Sequence, residues 1–406
     1  MHRDLTLTIP TNDDATVGAS GALAAITLAH TLTDTERERL ESSYKSIGEF
    51  LGEHAVFGPI TVQVHPQGSM ALGTTTRPEG RAEFDVDLVV RLVEGTRFKD
   101  PVLLLEQMDE AMGEYAEIHD LSVKPRRRCT QVKYANAMHT DVTPVIDWPS
   151  NDVFGAVAGL VPDREHGEHL GTNPRGYVKF FQKSAELLPR FAMLESRQMI
   201  AKADVMPLPP PSVWRKPLAR YVQLFKIHRN IQFANNPEDG PTSTFLTTQI
   251  ALAYADLVGA GTVFQSPIHL VLEIWKKMPD YVTIRRHGIQ EEWVLCNPTH
   301  RNENLADRMN SGNRQESYRE WRQKFVQDVI ALSEMYLPNG AGLSAIIGSV
   351  EKNFGDCSSK ALVRSYAAGT QQERDNGRAR ILRPATSAVL PSVSVPSQRH
   401  TFYGEK

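Results

Sequence analysis

The chain has 406 residues, which at about 150 residues per domain means two or three folding units and ample length to bury a core. Hydrophobic residues at 41%, charged residues at 23% and aromatics at 8% are ordinary globular usage and exclude a fibre or a wholly disordered chain. With 45 Lys and Arg against 48 Asp and Glu, the net charge of −3 supplies no global attraction to nucleic acid or an anionic membrane, so any phosphate site has to be built locally.

Residues 1–32 show weak periodicity and read as an arm of open role. Within them Ala22 to Leu32 is too short and too polar for a membrane span, and Asp4, Asp13 and Asp14 stand where an export signal wants positive charge. A cytoplasmic protein without a membrane anchor is expected. Cys129, Cys296 and Cys357 lie far apart with no C-x-x-C pair, which argues against a disulfide framework or a zinc ribbon and fits a reducing compartment.

Clear order begins at Thr33, where Thr33-Asp34-Thr35-Glu36 has capping-box spacing and Leu40, Tyr44, Ile47 and Leu51 line one helical face. From Ile60 the period changes to two, and the chain breaks at Pro66-Gln67-Gly68-Ser69, a strand running into a turn. Phe84 to Leu92 alternates again, with Val86, Leu88, Val90 and Leu92 on one face and Asp85, Asp87, Val89 and Arg91 on the other. Leu104, Met108, Met112, Tyr115 and Ile118 predict a helix; Leu121 to Lys124, Cys129 to Tyr134 and Met138 to Ile146 predict strands. After about residue 175 strand signals fade and helical patterns follow at Tyr177 to Leu188, Ala219 to Phe233, Phe245 to Leu257 and Tyr318 to Met335. Pro207-Leu208-Pro209-Pro210-Pro211 reads as a stiff connector. The divisions expected are an arm at 1–32, an α/β lobe at 33–206, a helical lobe at 207–368 and a flexible Ser- and Pro-rich tail at 369–406.

Three pieces carry chemistry: Gly68-Ser69, Asp85-x-Asp87, and Asp141 within His139-Thr140-Asp141-Val142-Thr143. Residues two apart on a strand point the same way, about 6.6 Å apart, so Asp85 and Asp87 converge on a pair of divalent ions. Hard oxygen ligands select Mg²⁺, with Mn²⁺ as the alternative, and leave room for a triphosphate in the shell. Asp141 supplies a third carboxylate, either as a ligand of the second ion or as acceptor of a hydroxyl proton. Gly68 lets a phosphate approach backbone N–H groups and the Ser69 hydroxyl adds a donor. No P-loop or dinucleotide-binding glycine pattern accompanies them. A D-x-D on a strand is often only a solvated sheet face and a Gly-Ser only a turn; their order on strand, turn, strand and strand favours phosphoryl transfer from nucleoside triphosphates.

The run Gln67-Gly68-Ser69-Met70-Ala71-Leu72-Gly73-Thr74-Thr75-Thr76-Arg77-Pro78, followed by Glu83-Phe84-Asp85-Val86-Asp87-Leu88-Val89-Val90, resembles the bacterial CD-NTases, the cGAS/DncV-like nucleotidyltransferases of CBASS anti-phage systems. The resemblance implies an α+β fold: a polymerase-β-like nucleotidyltransferase sheet lobe, a helical C-terminal lobe and an active-site cleft between them. It adds Gln67 to the nucleotide-binding residues. Arg220 to Arg229 is similar to the family helix whose lysine, Lys226 here, holds the donor triphosphate; Thr242 to Thr248 is similar to the segment supplying a phosphate-contacting serine, Ser243; and Asn297-Pro298 through Asp307 is similar to the segment beside the nucleotide pocket, with Asn304. Each has a plain alternative: a wet helix face for Lys226 and a helix cap for Ser243 and Asn304. Lys124-Pro125-Arg126-Arg127-Arg128 borders the cleft or decorates a solvated hairpin.

What the resemblance implies is a synthase that joins NTPs, ATP among them, into a cyclic di- or trinucleotide second messenger acting on an effector protein. It also implies an accessory ubiquitin-transfer-like partner at the C-terminal tail, although the chain ends Gly404-Glu405-Lys406 and not in glycine. A template-independent RNA or small-molecule nucleotidyltransferase would share every acid, and a silent nucleotide-binding scaffold is the reading from another class.

Overall fold

The computed structural model describes residues 13–79, 84–93, 97–134, 138–147, 158–192, 217–337, 339–375, 380–382 and 394–396. The first of these form helix α1 (Asp13–Ala29), which inserts Ala19, Ala22, Leu23 and Ile26 into the helical core. Thr16, Ser20 and Thr27 are buried as well. A helix covered on several sides has no single apolar stripe, which is why its periodicity is weak in the sequence.

Helix α2 (Asp34–Glu53) opens with the expected capping box: Glu36 N–H donates to Thr33 Oγ1 at 3.2 Å and Thr33 N–H donates to Glu36 Oε2 at 2.8 Å. Strand β1 (Thr61–Pro66), the five-residue helix α3 (Gly68–Leu72), β2 (Phe84–Val93), α4 (Pro101–His119), β3 (Ser122–Pro125), β4 (Thr130–Tyr134) and β5 (Met138–Asp147) follow. They form the sheet β1-β2-β5-β4-β3, in which only the β2–β5 pair is parallel. The parallel pair is possible because α4 and the β3–β4 hairpin supply the long crossover that parallel strands require. Val86, Leu88, Val90 and Leu92 of β2 pack with Leu40, Ile47 and Leu51 of α2 and Leu104, Met108 and Met112 of α4. Both helices therefore cover one face of the sheet, and the carboxylate-bearing face is turned away from them. Ile118, assigned by its spacing to the α4 stripe, is 68% exposed.

Strands β6 (Gly159–Asp163) and β7 (Glu168–Thr172) extend this sheet and have no clear sequence signal, because Pro162 and Gly171 are both poor strand residues. Helix α5 (Pro174–Ala185), β8 (Arg190–Phe191), α6 (Pro217–Gln232), α7 (Ser243–Gly259), β9 (Val263–Phe264), α8 (Pro267–Lys277), β10 (Thr283–His287), β11 (Gln290–Val294), β12 (Cys296–Asn297), β13 (His300–Asn304), α9 (Arg314–Glu334), α10 (Leu343–Phe354) and α11 (Asp356–Asp375) complete the ordered run. Phe180 and Phe181 of α5 pack with α1 and with Phe225, Phe245 and Phe325 of α6, α7 and α9, so packing assigns α1 and α5 to the helical core.

Two expectations change. Strands do not vanish after residue 175: β10–β11 and β12–β13 are hairpins whose polar residues lack alternation. The tail does not begin at 369 either. Gln371, Gln372, Glu373 and Arg374 are good helix formers that carry α11 to Asp375 after its apolar spacing ends, and β14 (Arg380–Leu382) pairs with β15 (Ser394–Pro396). The connector at 207–211 and the terminal residues 399–406 lie outside the described residues. No helix among the described residues is long and apolar enough to cross a membrane.

Leu88 is fully buried between the sheet and its helices. Leu88→Ala should cost about 2–5 kcal/mol in urea unfolding, whereas Ile118→Ala should cost less than about 0.5 kcal/mol.

Candidate active site

The strand period and the β2–β5 register build the centre. Asp85 and Asp87 are two apart on β2, and His139 and Asp141 are two apart on β5, so each pair shares a face. Parallel pairing sets Asp85 beside His139 and Asp87 beside Asp141. His139 Nε2 lies 3.1 Å from Asp85 Oδ1, and ligand atoms of Asp85, His139 and Asp141 all fall within 4.8 Å of one another. Asp87 sits deeper. Burial first, then the charges of Asp85 and Asp141, push its carboxyl well above the ordinary carboxylate range, against the opposing pull of Lys226 and His139. Burial and Asp85 likewise raise Asp141. The three predicted acids are thus brought together, with more negative charge than their protein neighbours neutralise. Clustered hard oxygens with surplus charge fit one or two Mg²⁺ or Mn²⁺ ions.

Gly68-Ser69 faces these acids. Gln67 N–H donates to the Asp87 carbonyl at 2.8 Å, which draws the chain across the end of β2. Gly68 has φ +57, and a β-carbon there would sit inside the Asp87 carboxylate. Glycine is required by both the backbone angle and the close approach. The Ser69 hydroxyl accepts from Thr75 Oγ1 at 3.1 Å, and Thr74 N–H donates to the Ser69 carbonyl at 2.9 Å, folding residues 73–77 back over α3.

Lys226 is 5% exposed, which excludes the wet-face reading. Its Nζ donates to Thr74 Oγ1 at 3.4 Å, and burial and then Arg229 pull its ammonium down to about 8 while Asp87 and Asp85 oppose them. Arg220, Gln223 and Lys226 recur every three residues and share one face of α6. Gln223 donates to the Thr75 carbonyl at 2.8 Å, and Arg220 donates to Gln223 at 3.0 Å. Ser243 is the exposed first residue of α7; its hydroxyl accepts from Arg229 at 2.9 Å, and the N-cap position belongs to Thr242. Asn304 ties its own loop together. Its Oδ1 accepts from the N–H groups of Leu295 and Ala306, both at 2.9 Å, and its Nδ2 donates to the Trp293 carbonyl at 3.0 Å.

The basic run divides: Lys124, Pro125 and Arg126 are exposed on the β3–β4 hairpin, whereas Arg127 and Arg128 are half-buried and paired. Arg127 and Arg128 both bind Asp163, at 2.8 and 2.7 Å, and approach Asp307 of the helical lobe at 3.9 and 3.8 Å. Of the residues that were missed, His139 was accessible to the same two-residue rule that paired Asp85 with Asp87. Gln131, which donates to Asp141 Oδ1 at 2.9 Å, depends on a register between strands that no local pattern reveals.

The family model of the Second Messenger Oligonucleotide or Dinucleotide Synthetase domain matches residues 27–184. The matched segment takes in β1 to β7 and holds Gly68, Ser69 and all three acids. Among curated proteins, a c-di-GMP synthase of Roseivirga ehrenbergii is 27% identical over 389 residues, covering 94% of this chain and 96% of the relative. The cyclic dinucleotide synthase CdnG of Bradyrhizobium diazoefficiens is 29% identical over 195 residues, 45% of this chain and 46% of the relative. The fold is that of solved CD-NTases. The Bradyrhizobium diazoefficiens CdnG structure in complex with GTP superposes with a TM-score of 0.61 at 19% identity, covering 86% of this chain and 98% of that one. The E. coli MS115-1 CdnC structure with ATP gives 0.55 at 15% identity, covering 83% and 98%.

Two outcomes test this geometry. Gly68→Ala should lower turnover at least about a hundredfold by displacing Asp87, while thermal unfolding shows a folded protein. Lys226 carries its charge below about pH 8 and loses it above, so kcat/KM for NTP should fall as pH rises through about 8. Lys226→Met should lack that limb in a pH profile.

Proposed function

We propose that the chain is a divalent-metal-dependent synthase that joins two nucleoside triphosphates, GTP among them, into a cyclic dinucleotide and releases pyrophosphate. The observation that carries this reading is the convergence of Asp85, Asp87 and Asp141 on one sheet face, opposite Gly68-Ser69 and under the buried Lys226. The named relatives support the cyclic dinucleotide and GTP.

In this reading the acids hold Mg²⁺, which when bound neutralises the triphosphate and lowers the pKa of the attacking ribose hydroxyl. The chain's own groups do the rest. Backbone N–H groups of Gly68 and Ser69, the Gln67 side chain and the Ser69 hydroxyl bind the triphosphate, Lys226 adds a point charge to it, and Ser243, held by Arg229, contacts it from the start of α7. Asp141 orients the acceptor hydroxyl across from the donor phosphate, in a site whose groups are already placed before substrate arrives. The cyclic product would act on an effector protein, as in the anti-phage systems that the sequence resembles.

Purified protein incubated with each labelled NTP and Mg²⁺ or Mn²⁺, then treated with phosphatase and resolved by mass, decides the matter. The expected result is a phosphatase-resistant cyclic dinucleotide containing guanosine, absent in Asp87→Asn and Asp141→Asn proteins of unchanged melting temperature. Only linear products, or turnover by either variant, would overturn the proposal.

A further inference from the structure

We infer that Gln131, held by Arg126, is a positioning residue for the third acid: it fixes the plane of the Asp141 carboxylate before any cation arrives. This rests on reading the site as a metal-dependent nucleotidyltransferase.

Gln131 lies directly opposite Asp141 in the antiparallel β4–β5 register and is 5% exposed. Its Nε2 donates to Asp141 Oδ1 at 2.9 Å, and its Oε1 accepts from Arg126 Nη2 at 2.7 Å. A guanidinium only donates and a carboxylate only accepts, so the amide has one satisfiable orientation between them. A flipped amide would set donor against donor and oxygen against oxygen. A carboxylate held by a donor with a single orientation loses the rotational freedom that an isolated aspartate retains.

The support for Arg126 is itself braced. Its N–H donates to the Cys129 carbonyl at 2.9 Å, and its carbonyl accepts from Arg164 Nε at 3.1 Å. Arg164 binds Asp109 at 2.7 Å, which also accepts from Thr130 Oγ1 at 2.6 Å. The basic run thereby acquires a role: Arg127 and Arg128 pin the hairpin to Asp163, and Arg126 reaches back to the site. The residue type follows from charge. A glutamate at 131 would satisfy Arg126 but repel Asp141, and a lysine would compete with a cation for the carboxylate. Glutamine supplies a donor and leaves the charge of the acid cluster intact.

Partners that orient a metal ligand are worth about 10–100-fold in affinity or activity. Free Mn²⁺ is to be measured by electron paramagnetic resonance in mixtures of the full chain with Mn²⁺ alone. Gln131→Met should weaken Mn²⁺ binding about tenfold and lower kcat about tenfold at saturating Mg²⁺, with KM for NTP within about twofold and an unchanged melting temperature. Arg126→Ala, which leaves the amide in place but free to turn, should weaken Mn²⁺ binding about threefold by releasing part of the same restraint. Lys45→Ala, exposed on α2 behind the opposite face of the sheet, should match the wild type. Wild-type Mn²⁺ binding and kcat in Gln131→Met, or a raised KM with unchanged kcat, would overturn the inference. Should that variant not fold, wild-type Mn²⁺ binding by Arg126→Ala overturns it. If Mn²⁺ binding follows Gln131 but no nucleotide product forms, the positioning role stands and the synthase reading falls. If wild type binds Mn²⁺ no better than Asp141→Asn, both fall.

Discussion

Like charges crowded on one face of a sheet are the constraint around which the molecule is arranged. Asp87 and Asp141 are register partners on adjacent parallel strands, with Asp85 one side-chain step away. Partial burial denies them the water that would screen their repulsion, and it lifts the carboxyls of Asp87 and Asp141. His139 and Lys226 offset part of that charge and no more. A site in this condition gains from any divalent cation that enters, because carboxylates that repel one another are each attracted to the cation. Gly68 presses against the deepest of these acids, so the loop that would meet a phosphate and the acid that would hold a cation are packed on each other.

The chain from Gln67 to Glu79 links this centre to both halves of the protein. Arg77 binds Glu36, whose carboxylate also closes the capping box of α2. On the other side Gln223 and Lys226 of α6 reach Thr75 and Thr74, His30 Nδ1 lies 2.9 Å from the Arg77 carbonyl, and Glu79 accepts from Cys357 N–H at 3.0 Å. A second seam joins Asn173 to the Thr299 carbonyl, Thr172 to Glu303, and Arg127 and Arg128 to Asp307. The segment from Asn297 to Asp307 belongs to that seam. Apart from Leu72, which packs against the helical core, the contacts named in both seams are polar, and polar contacts between lobes adjust more readily than an interdigitated apolar core.

Much of the site was legible because it is written in periods that short segments obey on their own. Alternation on β2 placed Asp85 and Asp87 on the face opposite Val86 and Leu88, the capping box started α2, and a glycine before a helix turn marked a close approach. Readings failed where the period was masked: α1 is covered on several sides, β6 and β7 carry Pro162 and Gly171, and α11 outlasts its apolar spacing. The single-residue alternatives for Lys226, Ser243 and Asn304 were undecidable locally, since a lysine on a wet face and one under a neighbouring lobe have the same spacing.

The sequence by itself determined which face of each strand and helix is apolar, and hence that carboxylates stand on a sheet surface after a glycine turn. Which strands lie side by side, and in what register, only the tertiary structure decided. Side-chain direction repeats every two residues within one strand and is set by its own backbone. The pairing of Asp87 with Asp141, Gln131 with Asp141, and Lys226 with Thr74 joins residues far apart in the chain, and those contacts exist only once the cores on either side have packed.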